Sequence, residues 1–100
     1  NNILRTVRAL KNSSGSNVEA LYRFGDYEVE ALQFQVKSGS DVIGIPLKEL
    51  KTKPSLLVAY ILRKDDLIFP TGDDEIKVGD HILVITKQKS LEDVDDIIYR

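Results

Sequence analysis

One hundred residues, of which 42% are hydrophobic and 30% charged, fit a single folded domain, since disordered chains carry fewer apolar side chains. The 14 Lys and Arg residues face 16 Asp and Glu residues, and a net charge of −2 argues against a nucleic-acid partner. The absence of cysteine excludes disulfides and thiolate metal sites. The longest apolar run, Leu56 to Leu62, is far shorter than the roughly 20 residues that span a bilayer.

The chain opens with apolar residues at helical spacing. Ile3, Leu4, Val7 and Leu10 share one helical face, which predicts a helix over residues 1–11. A helix this short is marginal alone in water, so we expect it to dock or to continue a helix upstream. Methionine is absent, even at position 1, so we also expect the chain to be a piece of a longer protein. The Asn- and Ser-rich residues 12–17 end this helix.

Two segments then alternate with a period of two. Residues 18–24 and 28–36 flank a Gly25-Asp26 turn, which predicts a β-hairpin. In the second segment one face carries Val29, Ala31 and Gln33, and the other carries Glu30, Leu32, Phe34 and Val36.

A short helix and a buried strand are predicted next. Pro46 suits the first position of a helix, and we expect a helix from Pro46 to Lys51 with Leu47 and Leu50 turned inward. The apolar run from Leu56 to Leu62 is predicted to be the best-buried strand.

The rest of the chain predicts short strands and a final helix. Strands are expected at residues 67–69, 75–78 and 81–86. Ser90 and Asp93 resemble a capping box for a C-terminal helix whose apolar stripe contains Leu91, Val94, Ile97 and Ile98. The expected fold is therefore a compact α+β domain. It has a mainly antiparallel sheet, a short helix and a C-terminal helix, preceded by a linker helix.

Catalytic groups are scarce, so we expect a protein that is not an enzyme and has no catalytic residues. The only histidine is His81, and its sequence neighbour Asp80 would point the opposite way on a strand, which disfavours a Ser-His-Asp triad. The glycines lack the spacing that cradles phosphates, so a Rossmann-type dinucleotide site is not expected in this chain.

Two acidic clusters are better explained by local structure than by metal binding, and no metal site is expected. Asp73, Asp74, Glu75 and Asp80 lack the ligand spacing of an EF-hand, and Asp and Gly favour turns; an incidental cation site is the alternative. The carboxylates of the last segment are predicted to form a solvated helix face, with a partner-binding face as the alternative; they are Glu92, Asp93, Asp95 and Asp96.

Four motifs in order resemble the TrkA-C domain, which is also called the C-terminal domain of regulators of potassium conductance. They are a G-x-P-L-x-x-L motif (Gly44 to Leu50), an apolar strand that ends in Arg63, a P-x-G-D motif (Pro70 to Asp73) and a G-D-x-I-x-V motif (Gly79 to Val84). The resemblance covers roughly residues 18–98. It implies a linker helix and loop from a missing upstream domain at residues 1–16 and a TrkA-C regulatory domain at residues 17–100.

The resemblance implies a regulatory domain of the cytosolic gating subunit of a Trk potassium uptake system. Such a subunit lies at the inner face of the cell membrane and transmits its ligand state to a membrane potassium-translocating protein. NAD(H) or ATP/ADP binding is expected in the absent upstream domain, with no cofactor in this chain. The alternative is a small-molecule sensor domain of another cation transporter or antiporter.

The resemblance also supplies candidate site residues. Leu47, Leu50 and Leu57 are expected to form a homodimer interface, with a purely structural role in the core as the alternative. Some relatives bind cyclic di-AMP between two such domains, and Glu49, Lys51 and Leu57 are the candidate ligand-binding residues. Lysine lacks the bidentate fork of arginine, and leucine has no hydrogen-bonding side chain, so positions 51 and 57 depart from the relatives' pattern.

Overall fold

The computed structural model describes residues 3–6, 18–24, 29–87 and 91–99, which build one six-stranded antiparallel sheet. Its strands are β1 (Ile3–Thr6), β2 (Val18–Phe24), β3 (Glu30–Gln35), β4 (Leu56–Arg63), β5 (Asp66–Ile68) and β6 (His81–Thr86). The strand order is β1-β2-β3-β6-β4-β5. Because β3 and β4 flank β6 on opposite sides, the segment between them has to cross one face of the sheet.

The prediction of an α+β fold is wrong. In the described part of the chain the only helices are two single 3₁₀ turns, Leu47–Glu49 and Val94–Ile97. The predicted first helix is also wrong over Ile3–Thr6, which is a strand paired with β2, while residues 7–11 lie outside the described residues. A short helix gains little stability in water, whereas an edge strand satisfies its backbone against a neighbour.

The last segment is drawn into extended structure by its neighbours. Leu91, Val94 and Ile97 are spaced by three residues, which suits the three-residue period of a 3₁₀ helix, and all three are buried. The backbone amides of Lys53 and Tyr99 donate to the carbonyls of Ile97 and Lys51, so residues 97–99 pair with residues 51–53. These contacts take the place of a continued helix.

The 3₁₀ turn at Val94–Ile97 has a capping box, but not the predicted one. Asp93 is the N-cap, and its side chain accepts a hydrogen bond from the amide of Asp95, while Asp96 accepts from the amide of Asp93. Asp95 itself accepts hydrogen bonds from the Ser40 hydroxyl and the Asp41 amide. Three of the four carboxylates of this segment are thus engaged in structural contacts. Ser90 lies outside the described residues.

The predicted hairpin is confirmed in its two strands, and its turn lies outside the described residues. Leu32 and Phe34 of β3 lie opposite Val84 and Ile82 of β6, and all four side chains are fully buried. This inner face of the sheet packs against the β3–β4 connection, the β5–β6 connection and the segment after β6. These three segments add the following core residues: Val42, Leu50, Ile76, Leu91, Val94 and Ile97.

Strand β4 is not the best-buried strand, contrary to prediction. Only Ile61 of its eight residues is buried, whereas four of the six residues of β3 are buried. A β-bulge between Val58 and Tyr60 changes the alternation, so that Val58 and Ile61 both meet the inner face although they are three residues apart. Tyr60 lies opposite Leu83 and therefore on the outer face.

Candidate functional site

A cleft of about 230 Å³ lies beside the first half of β4. No β6 residue lines the cleft, so it follows the edge of β4 that faces away from β6, where β5 pairs only with Ile61 to Arg63. Its lining comes from the first 3₁₀ turn, from β4 and from the connection after β5: Leu47, Lys48, Thr52, Leu56, Leu57, Val58, Pro70, Thr71 and Gly72.

The far wall of the cleft is a rib formed by the 3₁₀ turn Leu47–Glu49 and by residues 72–74 of the connection after β5. The amides of Leu47 and Lys48 donate to the carbonyls of Asp74 and Gly72, each at 2.9 Å. The first backbone amides of a helix have no hydrogen-bond partner within the helix. The carbonyls of residues 72 and 74 supply partners here and so stabilise the 3₁₀ turn. A Cβ atom on Gly72 would lie 2.9 Å from the Cβ of Lys48, so the glycine permits this close approach.

Two residues of the acidic cluster at positions 73–80, Asp73 and Asp74, belong to the same rib. Asp73 accepts a hydrogen bond from Lys48 Nζ at 2.7 Å, and Asp74 accepts from the amide of Thr71 at 2.7 Å. Both carboxylates therefore hold the turn that the P-x-G-D motif forms, as expected from turn chemistry. Among the described residues there is no group of three or more potential metal ligands.

The sequence-predicted site residues separate into three environments. Leu57 is 60% exposed and lines the cleft together with Leu47, which is partly buried against the core. Leu50 is 8% exposed and belongs to the core. Glu49 and Lys51 are exposed and are not part of the cleft lining. The structure thus brings together Leu47 and Leu57 alone of the five.

Leu57 also lines a second recess, of about 370 Å³, which shares Leu56 and Leu57 with the cleft. The recess has an apolar lining that includes Val29 and Ile85, and Ile85 lies opposite Leu57 in the β4–β6 ladder. The exposed leucine and the two recesses that it lines form a surface to which another protein or an apolar ligand can bind.

The opposite end of β4 is fixed by an ion pair that the sequence analysis missed. Arg63 donates from Nε and Nη2 to the two carboxylate oxygens of Asp80, at 3.0 and 2.9 Å, and Asp80 is 1% exposed. Nη2 also donates to the carbonyl of Glu75. The hydrogen bond to Asp80 raises the pKa of Arg63 above its ordinary value, and burial opposes this shift. Both residues had been recognised in separate motifs, and a lone arginine after an apolar strand was the available signal of a buried partner.

His81 and Asp80 engage different partners. His81 Nδ1 lies 2.9 Å from Glu19 Oε1, on the outer face, and Glu19 also accepts a hydrogen bond from Gln33, which in turn accepts one from Tyr60. This chain of contacts joins β2, β3, β4 and β6. It holds His81 in a structural network, and among the described residues no side-chain hydrogen bond joins His81 to Asp80 or to a serine.

The TrkA-C domain family matches residues 31–99, which covers most of the fold described above. The chain belongs to the TrkA-C domain family. The cleft, the rib and the Arg63–Asp80 pair are therefore features of a TrkA-C domain, and they are built from the four motifs found in the sequence.

Relatives of this TrkA-C domain include two kinds of transport protein. It is 33% identical over 85 residues to "Trk system potassium uptake protein trkA homolog 1" of Methanosarcina mazei, covering 85% of this chain and 21% of that protein. It is 37% identical over 70 residues to the Trk system potassium uptake protein TrkA homolog of Pyrococcus abyssi, covering 69% and 31%. It is also 31% identical over 84 residues to the K(+)/H(+) antiporter NhaP2 of Shewanella baltica, covering 84% and 14%.

The chain thus spans between about a seventh and a third of the length of these relatives. In the part of the chain that the structure describes, no helix has the length and apolar character needed to cross a membrane.

Proposed function

We propose that this TrkA-C domain is the regulatory, dimer-forming part of the gating subunit of a Trk potassium uptake system. The observation that carries the proposal is the match to the TrkA-C family together with relatives named as Trk potassium uptake proteins. The subunit would lie in the cytosol at the membrane and pass its ligand state to a membrane potassium transporter. The domain acts through binding and carries out no reaction itself.

The proposed homodimer contact is centred on Leu57. An apolar side chain that is 60% exposed and lines two recesses supports a contact in which a partner's side chains fill both recesses. Leu47 would take part from the wall of the cleft. Leu50 would act indirectly, since its buried side chain holds the 3₁₀ turn against the core.

Sedimentation of the 100-residue chain tests the dimer. We expect a dimer at high micromolar concentration, and Leu57→Glu should convert it to a folded monomer because a charge cannot be buried in the contact. Leu67→Glu is the matched control, since Leu67 is 53% exposed and lies in β5, outside the lining of both recesses beside Leu57. A monomeric native chain, or a dimer unaffected by Leu57→Glu, would contradict the proposal.

Nucleotide sensing is assigned to the longer protein. NAD(H) or ATP/ADP would bind in a domain upstream of this one, and the TrkA-C domain would relay that state to the transporter. Potassium uptake by cells that carry the full-length protein with Leu57→Glu tests this relay. We expect uptake to lose its dependence on the nucleotide, whereas the protein with Leu67→Glu should retain it.

A second candidate function is supported by the relative named as a K(+)/H(+) antiporter: a small-molecule sensor domain of a cation antiporter. Glu49, Lys51 and Leu57 would then contact a cyclic dinucleotide. Thermal unfolding with and without cyclic di-AMP tests this, because a ligand at 100 times its Kd stabilises by about 2.7 kcal/mol. A rise in Tm that Lys51→Gln abolishes and Lys37→Gln retains would favour the sensor, since Lys37 is exposed and lines neither recess beside Leu57. An unchanged Tm would argue against it.

A further inference from the structure

A third recess, of about 360 Å³, lies at the end of β4 opposite the cleft. It is lined by Arg63, Lys64, Lys77, Val78, Gly79 and Asp80. Three of these six residues are cationic, and one carries a carboxylate. No motif or proposed function described above assigns a role to the two lysines.

The guanidinium of Arg63 is fixed in place and retains unused donors. Of its five N–H groups, Nε and Nη2 are directed to Asp80 and to the carbonyl of Glu75. The two N–H groups of Nη1 have no partner among the described residues, and the side chain is 31% exposed. A guanidinium held in this way binds an oxyanion without first losing side-chain freedom.

The one carboxylate of the recess is already used. One oxygen of Asp80 accepts from Arg63 Nε, and the other accepts from Arg63 Nη2 and from the amide of Lys77 at 2.9 Å. With 1% exposure, this carboxylate presents almost no surface to a ligand. Its charge is balanced by Arg63, so Lys64 and Lys77 supply the excess positive charge of the lining.

Carboxylates near the recess limit the affinity. Asp66 and Asp74 both raise the pKa of Arg63 through their charge, so both act on the guanidinium. Asp65 follows Lys64 in the exposed β4–β5 turn. A singly charged anion would therefore bind only weakly in the recess, which favours a ligand with more than one negative charge.

Lys64 occupies a position that another residue would fill at lower cost. Its φ is 55°, in the left-handed region, and the Lys64-Asp65 turn joins β4 to β5. Asn or Gly is preferred at such a position in a two-residue hairpin turn. A lysine that is exposed there, with no ion-pair partner among the described residues, favours a role for its charge.

We propose that this recess binds a small molecule through a phosphate group that carries two or more negative charges. Arg63 Nη1 and the ammonium groups of Lys64 and Lys77 would donate charge-assisted hydrogen bonds to the phosphate oxygens. The exposed side chain of Val78 would contact the rest of the molecule. Phosphate esters in solution and phosphomonoester lipid headgroups share this chemistry.

Amide chemical shifts of the 15N-labelled chain, titrated with inorganic pyrophosphate at constant ionic strength, test the proposal. We expect saturable shifts at residues 63–64 and 77–80, with a smaller response to inorganic phosphate. The variant Lys64→Gln/Lys77→Gln should bind about tenfold more weakly, since two exposed charge contacts are lost. Lys53→Gln/Lys87→Gln removes the same charge outside the recess and should bind as the native chain does.

Co-sedimentation with vesicles separates the two sources of phosphate. Binding to phosphatidic acid vesicles that Lys64→Gln/Lys77→Gln abolishes, with no binding to phosphatidylcholine, supports a lipid headgroup as the ligand. Pyrophosphate binding without vesicle binding supports a soluble phosphate ester. The proposal is overturned if pyrophosphate does not shift the amides of residues 63–64 and 77–80 and phosphatidic acid vesicles do not bind the chain. It is also overturned if the double lysine variant binds pyrophosphate like the native chain.

Discussion

The first half of β4 is the more apolar in sequence, yet the second half contains the only buried residue of this strand. Ile61 in the second half is fully buried, whereas Leu57 in the first half is 60% exposed. The second half has β5 and β6 as neighbours and ends in the Arg63–Asp80 pair, while the first half has β6 and an open cleft. Burial along this strand therefore depends on the bulge and on how far β5 extends, and hydrophobicity alone does not determine it.

The largest effect should come from a core truncation in the second half. Ile61→Ala removes a fully buried side chain and leaves a cavity, so we expect a loss of about 3 to 4 kcal/mol in the free energy of unfolding. Leu57→Ala in the first half should cost less than about 0.5 kcal/mol in the monomer. Urea denaturation at low protein concentration measures both. Equal losses would mean that the two halves are buried alike.

The ion pair at the end of β4 should be nearly as important. Arg63→Met retains the aliphatic stem but leaves the Asp80 carboxylate buried without a cation, and we expect a loss of about 3 kcal/mol. Adding Asp80→Asn should restore part of the stability, because the uncompensated charge is removed. Lys64→Met is the control for losing a neighbouring positive charge. If it costs as much as Arg63→Met, the buried pair does not explain the effect.

A smaller effect is expected at the cleft. Gly72→Ala places a Cβ at 2.9 Å from the Cβ of Lys48, so the rib has to shift, at a cost of about 1 kcal/mol. The clash disappears when Lys48 is replaced by glycine. Thermal unfolding of the four chains of this double-mutant cycle should therefore give a coupling between positions 48 and 72, and additive losses would argue against the close contact.

The smallest effect should come from the exposed ion pair of the rib. Lys48 and Asp73 are 60% and 80% exposed in their side chains, so Lys48→Gln should change stability by less than about 0.5 kcal/mol. The difference should shrink further in high salt, because exposed charges are screened. Urea denaturation measures this effect. If Lys48→Gln caused a large loss of stability that did not depend on salt, the Lys48–Asp73 pair would contribute as strongly as the buried Arg63–Asp80 pair, contrary to the prediction.

The alternation of residues along the sequence predicted strands correctly where the two faces of a strand contact different neighbours. The alternation of β3 placed Leu32 and Phe34 on the same face, and the structure confirms this, with both side chains buried on the inner face. In β2 the same rule failed at one point, because a bulge between Val18 and Ala20 puts Val18 and Leu21 in the core together. Bulges depend on the partner strand, so the alternation of one strand does not reveal them.

The candidate site was predicted only in part. The motif G-x-P-L-x-x-L located the turn at Leu47, and Leu57 was singled out, but the rib that joins positions 48 and 72 arises from segments distant in sequence. The pairing of Arg63 with Asp80 was missed for the same reason. Each residue was visible in its own motif, and their contact depends on the path of the chain between them.

The sequence by itself determined the hairpin, the turn residues, the lack of cysteine chemistry and the family to which the chain belongs. These features rest on local backbone preferences, on composition and on the order of short motifs. Only the tertiary structure decided that Ile3–Thr6 is a strand, that Val94–Ile97 is a 3₁₀ turn and that Leu57 of an apolar strand is exposed. The reason is that a short helix is weakly stable alone, so the backbone hydrogen bonds offered by β2 and by residues 51–53 outweigh helical periodicity.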